Sequence, residues 1–297
     1  MTSLRDLSWR DETGLFDDFT EDSLPIVVIN LDRDCDRWRR MRALLDNFSL
    51  RALRVPAVDA AAFTSAQRDA LARSDQSASP TAVAVFLSHR KVWSALAASS
   101  FRWAVILEDD LHFSEAASRL LKSSAWLPQQ ADLIKIETFH RKILVSNDYL
   151  HIDGAHKLRF LNSKHVGTGG YIVASRAASH LIESSQQITI DVDQFLFNPA
   201  ISPVNDLVRM QIDPALCIQD QNLPSSLRVG IISGLAQDRK SWISTHNSSG
   251  PQTKERKHIW TRIQRRVRKA RALWGLRFHS NVKKRIRIRL KGQCRSY

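Results

Sequence analysis

The sequence predicts an α/β protein whose sheet is parallel and covered by helices on both faces. Three observations carry that prediction. Residues 24–31 (LPIVVINL) read as a strand buried on both faces, and 103–107 (WAVIL) is an unbroken apolar run of strand length. Between such runs, apolar residues recur at three- and four-residue spacing, as on one face of a helix. Three acids, Glu108, Asp109 and Asp110, then follow the second run at the carboxyl end of a strand, where open sheets of this class gather ligands. Clustered acids repel, and a divalent cation relieves that repulsion; hard oxygen ligands suit Mg²⁺ or Mn²⁺, which also neutralise a diphosphate. The same acids read equally as a solvated loop, or as charge near the positive end of the following helix.

In chain order, residues 1–23 are polar and patternless and are expected to form a loose arm. After the first strand, Trp38, Met41, Leu45 and Phe48 mark a helix face, and 51–58 a second strand, which together make a βαβ unit. A short helix at 64–72 and a linker at 74–80 lead to a helix at 81–98, whose face is Val85, Phe86, His89, Trp93 and Leu96. Trp93 and Trp103 belong to the core. Ser114 is placed to cap a helix at 115–122, 132–137 (DLIKIE) is one strand, and 142–159 is a hairpin turning at Asp153-Gly154. Residues 167–172 (GTGGYI) concentrate glycine before a strand, which serves either a tight turn or the close approach of a ligand. A helix at 176–184 capped by Ser175, a short apolar element at 191–198 and a last piece at 212–217 complete the body, 24–253.

The net charge of +14 is unevenly spread. Residues 254–297 hold nearly all the excess Lys and Arg with Glu255 as their one acid, so the body is close to neutral. Three widely spaced cysteines, Cys35, Cys217 and Cys294, suggest neither a disulfide framework nor a zinc site and fit a reducing compartment. The acidic start lacks the order of a signal peptide and no apolar run spans a bilayer, so a cytoplasmic protein is expected.

The order of motifs then resembles glycosyltransferase family 25, the lipooligosaccharide β-galactosyltransferases of bacterial envelopes. The similar stretches are VINLDRDCDRW at Val28, AVDA at Ala57, FLSHRKVW at Phe86, VILEDD at Val105, KIET at Lys135, HVGTGGYIV at His165, DVDQFLF at Asp191 and PALCIQ at Pro214. The resemblance implies a GT-A-like, Rossmann-type nucleotide-sugar fold in a single catalytic domain. It also implies a UDP-hexose donor, usually UDP-galactose, and inversion at the anomeric carbon. Glu108, Asp109 and Asp110 match the family's acidic motif, which implies Mn²⁺ or Mg²⁺ centred on Asp110 with Asp109 and Glu108 beside it. One departure stands out: Thr81 and Ala82 occupy the place where the family usually carries Gly-Glu.

On this resemblance the donor is met by Asn30, Asp32 and Arg37 at the pyrophosphate, by Asp59 at uracil N3–H, and by Ser88, His89, Glu108 and Asp109. Thr168 and Gly169 present backbone to the sugar, and Glu137 orients donor or acceptor. Arg37 reads also as a surface charge among Arg33, Arg39 and Arg40. Asp193, with Asp191 second, is the expected general base, and either acid serves equally as a helix cap. His89 reads as a packed helical residue or as a donor ligand.

Along the tail, Ile259, Trp260, Ile263, Val267, Ala270, Leu273 and Trp274 recur at helical spacing with arginines between. This is a basic amphipathic helix suited to an anionic membrane surface, and VKKRIRIRLK at Val282 extends it. The expected partners are therefore the UDP-sugar donor, a lipid-linked oligosaccharide acceptor and the inner face of the cytoplasmic membrane, with no specific nucleic acid. A polyanion-binding protein acting through the tail, a nucleotide-sugar hydrolase and an inactive relative are the competing readings.

Overall fold

The computed structural model describes residues 14–20, 23–68, 78–231 and 283–288. Strand β1 (Ile26–Asn30) is buried along its whole length. It is followed by helix α1 (Cys35–Asn47), which buries Met41, Leu44 and Leu45. Strand β2 (Leu53–Pro56) returns parallel beside β1, with Asn30 opposite Pro56. Helix α2 (Pro80–Ala97) starts firmly: the Ser79 hydroxyl accepts the N–H of Ala82 at 3.2 Å, and Pro80 sits in the first turn where its missing N–H costs nothing. Its apolar side then buries Phe86, Trp93 and Leu96. Strand β3 (Trp103–Glu108) lies parallel to β1 on its other side, with Ile29 opposite Glu108. The carboxyl ends of β1, β2 and β3 therefore open on one side of the sheet, and this places the acids.

After β3 come β4 (Leu111–Phe113), α3 (Ala117–Leu120), β5 (Leu133–Lys135), β6 (Glu137–Thr138), β7 (Lys142–His151), β8 (Lys157–Leu161) and β9 (Gly170–Ala174). Helices α4 (Ser175–Ser184) and α5 (Val192–Phe197), then β10 (Arg209–Asp213), β11 (Cys217–Gln219) and β12 (Lys283–Arg287), complete the elements. The main sheet has nine strands in the order β12-β7-β8-β10-β5-β9-β3-β1-β2, and a small sheet has three in the order β4-β11-β6. Helices α2, α4 and α5 pack together, with Phe195 of α5 against Phe86 at 4.9 Å and stacked on Trp93 at 6.1 Å between ring centroids. Full burial of such aromatic side chains is worth roughly 2–3 kcal/mol each.

The α/β expectation holds, but the sheet is mixed. Strand β9 enters antiparallel between β3 and β5. A strand buried on both faces is apolar whichever way it runs, so composition did not carry its direction. The single strand expected at 132–137 is two, β5 and β6, in different sheets, because the chain crosses from one to the other at Ile136. The last piece likewise divides into β10 and β11. Ser114 and Ser175 make no helix caps: α3 begins after Ala116, and Ser175 is the first residue of α4. The hairpin at β7 and β8 is as expected. Of the helix expected at 64–72, residues 65–68 are helical and the rest lies outside the described residues.

Two further corrections concern the ends. Phe16, in the arm expected to be loose, is 2% exposed and packs against Phe101 with ring centroids 5.9 Å apart. Phe16 and Phe19 stand among acids with no sustained helical or strand repeat, so no periodicity reveals their packing. The basic stretch at Val282 is no continuation of an amphipathic helix: β12 adds antiparallel to β7, and Ile288 just after it is 1% exposed. Its alternation of Arg285, Ile286, Arg287 and Ile288 has the period of a strand. The expected helix at 259–274 lies outside the described residues. No helix among the described residues is long and apolar enough to cross a membrane.

Candidate active site

A cleft of about 700 Å³ lies beyond the carboxyl ends of β1, β2 and β3. Asn30, Arg37, Asp59, Ser88, His89 and the acids 108–110 line it, with Thr81 and Val85 of α2 on one wall. Eight of the residues expected from sequence thus converge on one cavity. Asp32 lies outside its wall and pairs with Arg54 at 2.7 Å. Thr168, Gly169, Glu137, Asp191 and Asp193 also lie outside it, the first three joined to it through hydrogen bonds and packing.

The three acids face different ways. Asp109 takes hydrogen bonds from Asn30 Nδ2 at 2.6 Å and from the Arg37 guanidinium, whose second nitrogen stands 3.6 Å from Asp34. Arg54 in turn donates to Asn30 Oδ1 at 2.7 Å, so Asn30 is fixed from both sides. Burial raises the Asp109 pKa despite Arg37 and Asn30. Glu108 accepts from the Thr168 hydroxyl at 2.6 Å and from Gln219 Nε2 at 3.0 Å. Burial alone would raise its pKa, but the neighbouring His89 ring, the Thr168 hydroxyl and the Lys135 charge outweigh it and hold the carboxyl below its usual range. Asp110 takes contacts from Gln219 Nε2 at 3.4 Å to each oxygen. Its pKa is pushed up to about 8, by burial first and by the Glu108 charge second. Burial and the neighbouring Glu108 charge thus disfavour a second negative charge on the pair.

His89 is wholly buried and tied into a chain. The indole N–H of Trp93 donates to the Tyr171 oxygen at 2.9 Å, and the hydroxyl stands 3.0 Å from His89 Nδ1. Burial raises the Tyr171 pKa well above the usual value, so the hydroxyl keeps its proton. His89 Nε2 stands 3.5 Å from Glu108 Oε1, outside full hydrogen-bond geometry. Both readings of His89 meet here, since it is packed and also lines the cleft. Ser88 holds backbone: its hydroxyl donates to the Ala84 carbonyl and accepts the N–H of Val58, each at 2.8 Å. Asp59 accepts the N–H of Ala61 at 2.9 Å and pairs with Arg33 across the cleft mouth.

Behind the acids, Lys135 and Glu137 form an ion pair at 2.6 Å with neither side chain exposed, and Lys135 also donates to the Gly167 carbonyl at 2.5 Å. Burial raises the Glu137 pKa even against Lys135. Gly167 has φ 83°, a conformation glycine adopts freely. Its N–H donates to Asp193 Oδ2 at 3.1 Å, and Gln194 Nε2 donates to Asp193 Oδ1 at 3.0 Å. Asp193 lies in the first turn of α5, and Asp191 stands at the N-cap position without a side-chain capping bond. Sequence reasoning missed Gln219, Lys135, Tyr171 and Arg54. Gln219 ends the PALCIQ stretch and Lys135 opens KIET, so both sat in motifs without a chemical signature of their own.

Among the described residues no group of three His, Cys, Asp or Glu side chains is arranged to hold a metal ion. The Asp109 carboxylate is engaged by Arg37 and Asn30. Asp110 with Glu108 still suits a hard divalent ion, which commonly takes one or two carboxylates and completes its shell with phosphate and water.

Residues 23–196 match the family model described as glycosyltransferase family 25 (LPS biosynthesis protein). The chain is similar to lipooligosaccharide biosynthesis protein lex-1 of Haemophilus influenzae, 30% identical over 164 residues, 52% of this chain and 54% of that protein. It is 25% identical to the lacto-N-neotetraose biosynthesis glycosyltransferase LgtE of Neisseria gonorrhoeae, over 53% of this chain and 60% of that one. It is 29% identical to LgtB of Neisseria meningitidis, a protein of the same description, over 46% of this chain and 52% of that one. The match thus spans about half the length of these relatives.

Proposed function

The chain belongs to glycosyltransferase family 25, and from that premise we propose that it transfers a hexose from a nucleotide sugar to a lipooligosaccharide-type glycan. The reading is carried by the cleft at the ends of β1, β2 and β3, where Glu108 and Asp110 line one cavity with Asn30, Arg37 and Asp59. In its finer form the fold is GT-A-like, the donor is UDP-galactose or another UDP-hexose, and the anomeric centre inverts.

Asn30 and Arg37, set by Arg54 and Asp109, receive the diphosphate, with charge-assisted donation from the guanidinium. The Asp59 carboxylate meets uracil once Arg33 swings from it. Asp110, with Glu108 beside it, would hold Mn²⁺ or Mg²⁺, which would supply a Lewis acid for the departing nucleotide. Glu108 keeps its negative charge through Thr168, Gln219 and His89. Asp193, held by Gly167 and Gln194, takes the proton of the acceptor hydroxyl, with Asp191 as the second carboxylate. The basic tail holds the enzyme to the inner, anionic face of the cytoplasmic membrane, where a lipid-linked acceptor resides.

Thermal shift against a panel of nucleotide sugars, with and without Mn²⁺, tests this reading. Stabilisation by a UDP-hexose that depends on the metal is expected. Stabilisation by none of them overturns it.

A further inference from the structure

We propose that Gln219 is a positioning residue, which spaces the Glu108 and Asp110 carboxylates, and that the absence of a side chain at Gly169 seats it. The observations are steric as well as polar. From the end of β11, the Gln219 amide reaches Glu108 Oε2 at 3.0 Å and both Asp110 oxygens at 3.4 Å through the same nitrogen. An amide nitrogen has two protons to give, one for each carboxylate. It therefore lies between two acids that would otherwise repel across a gap.

The seat is formed by an absent side chain. A Cβ at Gly169 would stand 2.8 Å from Gln219 Cγ and 3.1 Å from its Cδ, and a Cβ at Gly167 would stand 3.3 Å from Gln219 Oε1. Gly169 has no unusual backbone angle to require glycine, so contact with Gln219 and with Leu111 at 3.1 Å is what excludes a larger residue there. Its carbonyl accepts the N–H of Glu108 at 2.8 Å, which ties the seat to the acids by backbone too. Gln219 is itself 7% exposed, so its amide is held rather than sampled. Gly169 thus acts through Gln219 on the acid pair, whereas glycine at 167 is required by its φ of 83° and by Glu137 Oε1, 2.9 Å from where a Cβ would stand.

The role in donor binding rests on the transfer reading above, so the test has two arms. In the first, Gly169→Ala, Gln219→Ala and the double variant are compared by thermal unfolding. Gly169→Ala is expected to lower the Tm by several degrees in the wild-type background and by less than half as much beside Gln219→Ala, which removes two of the three close contacts. Equal losses in both backgrounds overturn the inference.

In the second arm, binding of UDP with Mn²⁺ is titrated by calorimetry, using the wild type, Gln219→Leu and Gln219→Ala. A weakening of about tenfold or more in both variants is expected, corresponding to the loss of a positioned charged pair. Alanine leaves room for water in place of the amide, so a folded variant is available if the leucine form does not fold. Unchanged affinity in either folded variant overturns the positioning role. A wild type that binds no UDP overturns the transfer reading instead, and the seat then stands or falls on the first arm.

Discussion

Asp110→Asn removes one titrating group from the floor of the cleft and leaves its shape almost unchanged. The Asp110 carboxyl is raised from 3.8 to about 8, chiefly by burial and then by the charge of Glu108. A folded pKa above the unfolded one means that the folded chain holds a proton the unfolded chain has released. Wild-type stability must then fall as pH rises through that window, and be lowest above it. Each pKa unit corresponds to about 1.4 kcal/mol. Between about pH 5 and pH 8 the wild type is expected to lose up to ~4 kcal/mol relative to the Asn variant, because that span lies within the window. Asp109 and Glu137, whose pKa values are also raised, are present in both proteins and largely cancel in the difference. Urea unfolding of both proteins in chelator, at several pH values, measures that difference. A difference that stays flat with pH, or grows in the opposite direction, would falsify the assignment of an uncompensated acid to this position.

Two further expectations follow from named contacts. Asp193→Asn should lower kcat by about a hundredfold or more while UDP affinity stays within a factor of two, as removal of a general base requires; turnover close to wild type sinks that role. Ile288→Ala should cost about 2–4 kcal/mol, because the side chain is 1% exposed and its truncation leaves a cavity. An unchanged unfolding midpoint would mean that β12 does not dock as an integral strand.

The sequence by itself determined the strands that carry the site, because continuous apolar runs and helical periodicity are local signals that burial imposes. It also determined the acids at the end of β3, and a strand ending in Glu108 places them at the mouth of the sheet whatever lies beside it. Asn30, Arg37, Asp59 and His89 were legible from motif order, and they meet in one cleft. What only the tertiary structure decided was which way each charge turns. Asp109 goes to Arg37, 72 residues earlier, while Glu108 and Asp110 share Gln219, 111 and 109 residues away. Strand direction was hidden for a related reason, since a buried strand has the same composition in either orientation. Gly169 carried no local instruction about Gln219, because a missing side chain has meaning only beside the group that fills its space.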